Sequence, residues 1–464
     1  MPRFRIITHS SLRVVVVVAL HAVGAAAPVA RATEIEGVQP AALDQPRINL
    51  CLRRDPKGPP LAAAGGGAGA LEALLGDPAG KGKGKGAGNG DAQTINIRAF
   101  LDTGASGVML SKPTATALGV QRATTAAGRA AVTFHDVGVG GTQAFGVSEP
   151  LHLSLAPTNG GDDPADASQY GLTFGPARVQ LAEAGGLMDA LTGGLDVVGM
   201  PAMKGRVVVM DPRPVDTMGD TMRAQVLDAR LHRNAIPQVD RHVMLTYASF
   251  ARFTRTEPAG AQGPTLNDNP LVGPSPVADA RARKAGGADV PPLVVTHKGK
   301  SSAGSWLLDT GAAASMISVA QARALGVTYA PGTEATGSPK LLGVPEAEQF
   351  TLDVGGVGGQ KKVAGFFLDT LTLPTRERDP IVYKRAPVLV MDITVEDPAT
   401  KEQVTLGGVL GMNYFVASAR VTIAAGGLPD IDKLTPGPYQ LIVFDEPAAT
   451  LGLKLKPEFL KGRR

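Results

Sequence analysis

The 464-residue sequence predicts a mainly β protein made of two copies of one unit, and three observations carry that expectation. Gly (58) and Pro (36) are plentiful while aromatics are scarce at 4%, the balance of many strands joined by many turns. The apolar residues come in short runs that read as strands, such as INLCLRR at residues 48–54 and PLVVTHK at residues 292–298. The third observation is a repeat. LDTGASGVMLS at residues 101–111 returns as LLDTGAAASMIS at residues 307–318.

The repeat extends well past the phrase itself. Asp102 and Asp309 are 207 residues apart, and Ser111 and Ser318, Ala115 and Ala322, Leu118 and Leu325, and Gly119 and Gly326 keep that offset. A second echo follows, VVGM at residues 197–200 and VLGM at residues 409–412, each succeeded by an Arg and a β-rich run. The landmarks fall in the same order in both halves. At 44% hydrophobic and 19% charged, the chain has the composition of a globular protein with ample core.

From the N-terminus, residues 1–32 read as a secretory signal. Arg3, Arg5 and Arg13 form a basic start, an apolar run of 14 to 27 follows, and Ala30-Arg31-Ala32 is a small-residue cleavage site. The apolar run is short for a membrane span of about 20 residues. Removing four arginines and no acid takes the formal charge from +4 to zero, so no whole-protein case exists for a nucleic-acid partner. The single cysteine, Cys51, has no internal partner for a disulfide and reads as a small buried residue on a strand.

The first unit then covers residues 33–212, with a Gly/Lys-rich insertion at 58–92 that lacks apolar surface to bury and reads as a solvated loop. Residues 213–240 read as a linker. The second unit covers 241–464, with a Pro/Gly-rich insertion at 257–289. In each unit strands lead into Asp102 or Asp309, and a short helix follows. Ser111 and Ser318 are its N-caps, with Gln321 completing a capping box in the second unit, and Gly119 and Gly326 are its stops.

An apolar strand that ends by presenting one carboxylate on a Thr-Gly turn is built to hold that carboxylate. Two such turns meeting about a two-fold axis bring Asp102 and Asp309 face to face. Like charges that close cannot both ionise, so the pair shares one proton and offers a base and an acid side by side. Gly104 and Gly311 permit close backbone approach where a Cβ would block it. Thr103 and Thr310 can each send a hydroxyl across to lock the turns together.

With those residues in view, both halves resemble the aspartic proteases, and the bacterial retropepsin-like branch more than the pepsins. Leu101-Asp102-Thr103-Gly104-Ala105-Ser106 and Leu308-Asp309-Thr310-Gly311-Ala312 carry the likeness, each with a short helix ending in Leu-Gly and the later landmarks Gly199 and Gly411. The resemblance implies a bilobal acid-protease fold, two β-barrel-like lobes related by a pseudo-two-fold axis. It implies Asp102 and Asp309 as catalytic, with Thr103 and Thr310 interlocked. Pepsin-like lobes usually place Ser or Thr after the Gly, whereas Ala105 and Ala312 stand here, as in retropepsins. Ala313 stands where the first unit has Ser106, so that position is asymmetric.

A Gly-rich hairpin should cover the cleft of such a protein. Residues 137–141, with Gly138 and Gly140, are the candidate in the first unit, and Gly343 lies at a nearby offset in the second. The glycines at 355–359 read as an ordinary hairpin turn. Two partial motifs, Asp216-Thr217-Met218 and Asp369-Thr370-Leu371, lack the Gly and are decoys. The histidines show no metal-ligand spacing, and neither a nucleophile elbow nor a P-loop is present, so no metal and no organic cofactor are expected.

The sequence thus points to an exported, monomeric aspartic endopeptidase, periplasmic or extracellular. It would take an extended peptide or unfolded protein, with no nucleic acid and no membrane anchor after signal cleavage. An inactive peptide- or protein-binding protein on the same scaffold is the alternative, and a precursor that cuts its own 58–92 insertion is a further one.

Overall fold

The computed structural model of the protein describes residues 32–62, 97–124, 133–138, 141–158, 170–182, 195–217, 221–250, 267–276, 289–334, 336–356, 359–396, 403–420 and 430–460. The expected signal, most of the 58–92 insertion, Gly140, and much of 257–289 lie outside the described residues. What is described is mainly β, with three short α-helices, none long and apolar enough to cross a membrane.

The two copies share one sub-topology. In the first, β1 (Ile97–Leu101) ends at Asp102, and β2 (Val108–Leu110) leads into α1 (Lys112–Ala117). A hairpin of β3 (Thr133–Gly138) and β4 (Gly141–Val147) comes next, then β5 (Gln180–Ala182) and β6 (Val197–Val198). β5 lies parallel to β2 and antiparallel to β4, while β6 lies parallel to β1 and antiparallel to β2.

The second copy repeats that order with β7 (Trp306–Leu308), β8 (Met316–Ile317), α2 (Val319–Ala324), the hairpin β9 (Gln349–Gly356) and β10 (Gly359–Leu373), then β11 (Ile381–Val390) and β12 (Gly408–Leu410). β11 is parallel to β8 and antiparallel to β10, and β12 is parallel to β7 and antiparallel to β8. Strand for strand, the duplication visible in the sequence is a duplication of pairing.

Local chemistry accounts for these elements. The β1 residues alternate buried and half-buried, so Ile97, Ala99 and Leu101 enter the core. β7 is buried throughout, from Trp306 to Leu308, and each such full burial of a large apolar side chain contributes about 1.5–3 kcal/mol. The Ser111 and Ser318 hydroxyls cap α1 and α2, accepting the amides of Thr114 and Gln321. Gly119 and Gly326 end the helices at φ +59° and +85°, where a side chain is strained. The capping box expected at Gln321 is not made: its side-chain oxygen accepts the Trp306 indole N–H instead, and the Ser318 amide goes to the Gly407 carbonyl.

Several expected boundaries are corrected. Asn267–Val272, inside the expected insertion, is a strand paired on one side with Arg241–Phe250 and on the other with β7. Its Asn-Asp-Asn-Pro start has turn chemistry, but Asn269, Leu271 and Val272 have no exposed surface. The expected linker contains the strand Arg223–Asp228, antiparallel to Arg206–Asp211, with Met222, Ala224 and Val226 buried. Thr33–Ile35, assigned by sequence to the first unit, lies parallel to β11 of the second. The halves also share a sheet, because Arg206–Asp211 pairs with Tyr439–Asp445. The pairings of Thr33–Ile35 with β11 and of Arg206–Asp211 with Tyr439–Asp445 join distant stretches of chain and leave no local pattern in the sequence.

Candidate active site

β1 and β7 deliver Asp102 and Asp309 to the same point. The Asp102 amide donates to the Val198 carbonyl at 3.0 Å, and the Asp309 amide to the Leu410 carbonyl at 3.1 Å, so each aspartate is seated by the same neighbouring strand of its own copy. Gly199 and Gly411 follow those strands and pass directly beneath the Asp loops. A Cβ on Gly411 would lie 2.9 Å from the Ala312 carbonyl oxygen, and one on Gly199 would collide with that of Ala105. Glycine is required at both positions by that approach.

The loops are locked to each other by four reciprocal hydrogen bonds. The Thr103 hydroxyl donates to the Leu308 carbonyl at 2.6 Å and accepts the Thr310 amide at 3.1 Å. The Thr310 hydroxyl donates to the Leu101 carbonyl at 2.6 Å and accepts the Thr103 amide at 3.0 Å. Both threonines are buried. A methyl group at Gly104 would lie 2.6 Å from the Asp309 Cγ, and one at Gly311 would overlap the Asp102 carboxyl, so each glycine makes room for the opposite aspartate.

The two carboxyls hydrogen-bond to one another. Each keeps a little accessible surface, yet protein crowds each so closely that lost hydration is the leading influence on its ionisation. Burial raises the Asp102 pKa, opposed by the hydrogen bond with Asp309 and by the amides of Gly104, Ala105 and Gly311. Burial lifts the Asp309 pKa well above the usual carboxylate range, and the Asp102 charge beside it lifts it further. Backbone geometry agrees, since Asp102 Oδ1 accepts the Gly104 and Ala105 amides at 2.7 and 3.2 Å while Asp309 Oδ1 accepts the Gly311 amide at 2.9 Å. Both carboxyls are raised and the pair shares one proton, with the greater number of amide contacts at Asp102 favouring the charge there.

The sequence named the dyad, its threonines and its glycines, but it missed two side chains that hold the loops. Asn269 Nδ2 donates to the Thr103 and Gly104 carbonyls at 2.9 and 2.8 Å, and Gln45 Nε2 donates to the Gly311 carbonyl. A signal for them existed, because Gln45-Pro46-Arg47-Ile48 and Asn269-Pro270-Leu271-Val272 are a second, fainter repeat. Arg47 pairs opposite Phe100 and Leu271 opposite Leu307, so the two amides occupy equivalent places.

The flap candidates fare differently. Gly138 ends β3 at a hairpin whose tip, with Gly140, lies outside the described residues. Gly343 is at no hairpin tip; it turns at φ +89° with its Cα packed against the Gly326 carbonyl, and its own carbonyl accepts Lys298 Nζ. By topology the counterpart of Gly138 is Gly356, which pairs with Gly359 across the β9–β10 tip. The decoys are occupied elsewhere: Asp216 binds Lys456 and the Gly437 amide, and Asp369 accepts the Lys298 amide. No protein-family model matches the chain, and no curated protein matches it.

Proposed function

We propose that the protein is an exported aspartic endopeptidase with the bilobal acid-protease fold, acting as a monomer on extended peptide or unfolded protein. The observation that carries this reading is the pair of mutually hydrogen-bonded carboxyls on twin, cross-locked Thr-Gly loops. The Asp102 carboxylate takes a proton from a water molecule, whose oxygen adds to the scissile carbonyl carbon while Asp309 gives its proton to the carbonyl oxygen. Asp102 passes the proton it took to the adduct nitrogen while Asp309 recovers one from the adduct hydroxyl; the C–N bond breaks, and no covalent enzyme intermediate forms. The duplication supplies both aspartates on one chain, and the β3–β4 and β9–β10 hairpins are the elements that cover bound peptide. The basic and apolar pattern of residues 1–32 supports export.

The test is cleavage of an unfolded protein from acid to neutral pH by the mature chain and by Asp102→Asn and Asp309→Asn. Activity should fall by at least about three orders of magnitude in both variants, the upper range for loss of an acid–base group. Full activity in either variant places the chemistry elsewhere. A wild type inert on several substrates at every pH, yet retaining peptide affinity, favours the inactive binding protein.

A further inference from the structure

The two Asp loops carry the same motif but not the same support, and the difference lies in the segments that precede each copy's aspartate. Asn269 comes from the second half, has no exposed surface, and reaches across to the first half's loop. Its amide orientation follows from chemistry: two carbonyl oxygens can only accept, so Nδ2 faces them, and Oδ1 takes the Ser106 hydroxyl at 2.9 Å. Every polar atom of this buried side chain thereby has a partner.

What those two carbonyls belong to matters more than their number. A peptide unit is planar, with its C=O and N–H pointing opposite ways. The Thr103 carbonyl shares a plane with the Gly104 N–H, and the Gly104 carbonyl shares one with the Ala105 N–H. Those are the two N–H groups that reach Asp102 Oδ1, at 2.7 and 3.2 Å. Asn269 thus grips both planes from behind, fixing their tilt and polarising each N–H toward the carboxylate. On the other loop Gln45 grips one plane, that of Gly311 and Ala312. The stronger amide contact to Asp309, from the Gly311 N–H to Oδ1 at 2.9 Å, lies on the plane of the Thr310 carbonyl, which Gln45 does not touch. The Ala312 N–H, on the plane that Gln45 does grip, is the weaker contributor and reaches the Asp309 backbone carbonyl at 3.3 Å.

We propose that Asn269 is a positioning residue that decides which aspartate of the pair carries the negative charge. It acts through the Thr103–Gly104–Ala105 backbone and makes Asp102 the base. Gln45 holds the opposite loop in place without setting the charge. This rests on reading the two carboxyls as one proton-sharing dyad, but it does not require that peptide cleavage be their task.

Carboxyl 13C titration of aspartate-labelled protein tests the assignment without needing turnover. In the wild type the lower of the two dyad steps should report mainly on Asp102. Asn269→Leu should move that step up by roughly half to one pH unit, because the charged form loses hydrogen-bond support. Ser106→Ala, which frees the Asn269 amide but leaves it in place, should move it the same way by less. Gln45→Leu should leave it nearly unmoved. In the active protein the acid limb of kcat/KM should follow the titration while KM stays within about twofold. A lower step unmoved in Asn269→Leu, or moved equally by Gln45→Leu, reduces Asn269 to a strut between halves and overturns the proposal. If Asn269→Leu does not fold, an unmoved step in Ser106→Ala overturns it equally. Two carboxyls titrating independently at ordinary values in the wild type would remove the dyad, and this assignment with it.

Discussion

The loop at Asp102 and the loop at Asp309 are copies in backbone and unlike in what holds them. The first is gripped from across the boundary by Asn269, and its carboxylate receives two amides. The second is gripped across the boundary at one carbonyl only, by Gln45, and is held from within its own half as well: the Ser315 hydroxyl accepts the Gly411 amide at 2.9 Å and donates to Asn413 Oδ1 at 2.7 Å. At the equivalent places the first copy has Val108 and Pro201, and its Gly199 amide goes to the Gly107 carbonyl. Doubling supplied two equal carboxyls. Divergence in neutral side chains around them makes the pair unequal, and an acid beside a base requires that inequality.

The comparison is sharpened first by its symmetric part. Asp102→Asn and Asp309→Asn should abolish cleavage alike, by about three orders of magnitude or more, since neither acid nor base suffices alone. Thr103→Val and Thr310→Val should each cost about 2–4 kcal/mol in denaturant unfolding, because either one strands a buried carbonyl and a buried amide. Equal losses are expected, and a loss confined to one variant would break the symmetry of the lock.

The asymmetric part shows in stability against pH. The Asp309 carboxyl is raised in the folded protein, so it binds its proton more tightly there than in the unfolded chain. Its contribution to stability is present below the unfolded carboxyl value of about 4 and is lost as pH rises through the folded one. Asp309→Asn should therefore melt a few degrees above wild type at neutral pH and gain less near pH 4, in scans across that range. Asp102→Asn should show a smaller gain. The smallest effect is at the helix starts, where Ser111→Ala and Ser318→Ala should each cost about 1 kcal/mol by denaturant titration. Ser111→Ala should cost more, since its hydroxyl also donates to Thr114 Oγ1.

Sequence made the centre of the site legible because each part sits within a few residues of a doubled motif: Asp, Thr, Gly, the capping Ser, the stop Gly. The later Gly199 and Gly411 were legible for the same reason. Asn269 was hidden because Asn-Asp-Asn-Pro has the chemistry of a turn and its strand identity comes wholly from neighbours on either side. Gln45 was hidden by distance, its partner lying 266 residues on. The Gly343 expectation followed a constant offset, but the offset does not hold: 207 residues separate Met109 from Met316, whereas Val147 and Gly365 occupy equivalent register 218 apart. Insertions between landmarks shift a hairpin that topology still identifies.

Thr33–Ile35 lie beside Ile381–Tyr383, and Gln45 reaches Gly311, so the earliest described segment of the chain belongs with some of the latest. Contacts of such long sequence separation form slowly, since closing a large loop costs entropy before any pairing offsets it. The first half emerging alone has one carboxyl of the pair, half of the threonine lock and an edge with no strand to meet it. Assembly of the proton-sharing pair thus waits for the second half of the chain, since neither the partner carboxyl nor the strand that seats it exists before then.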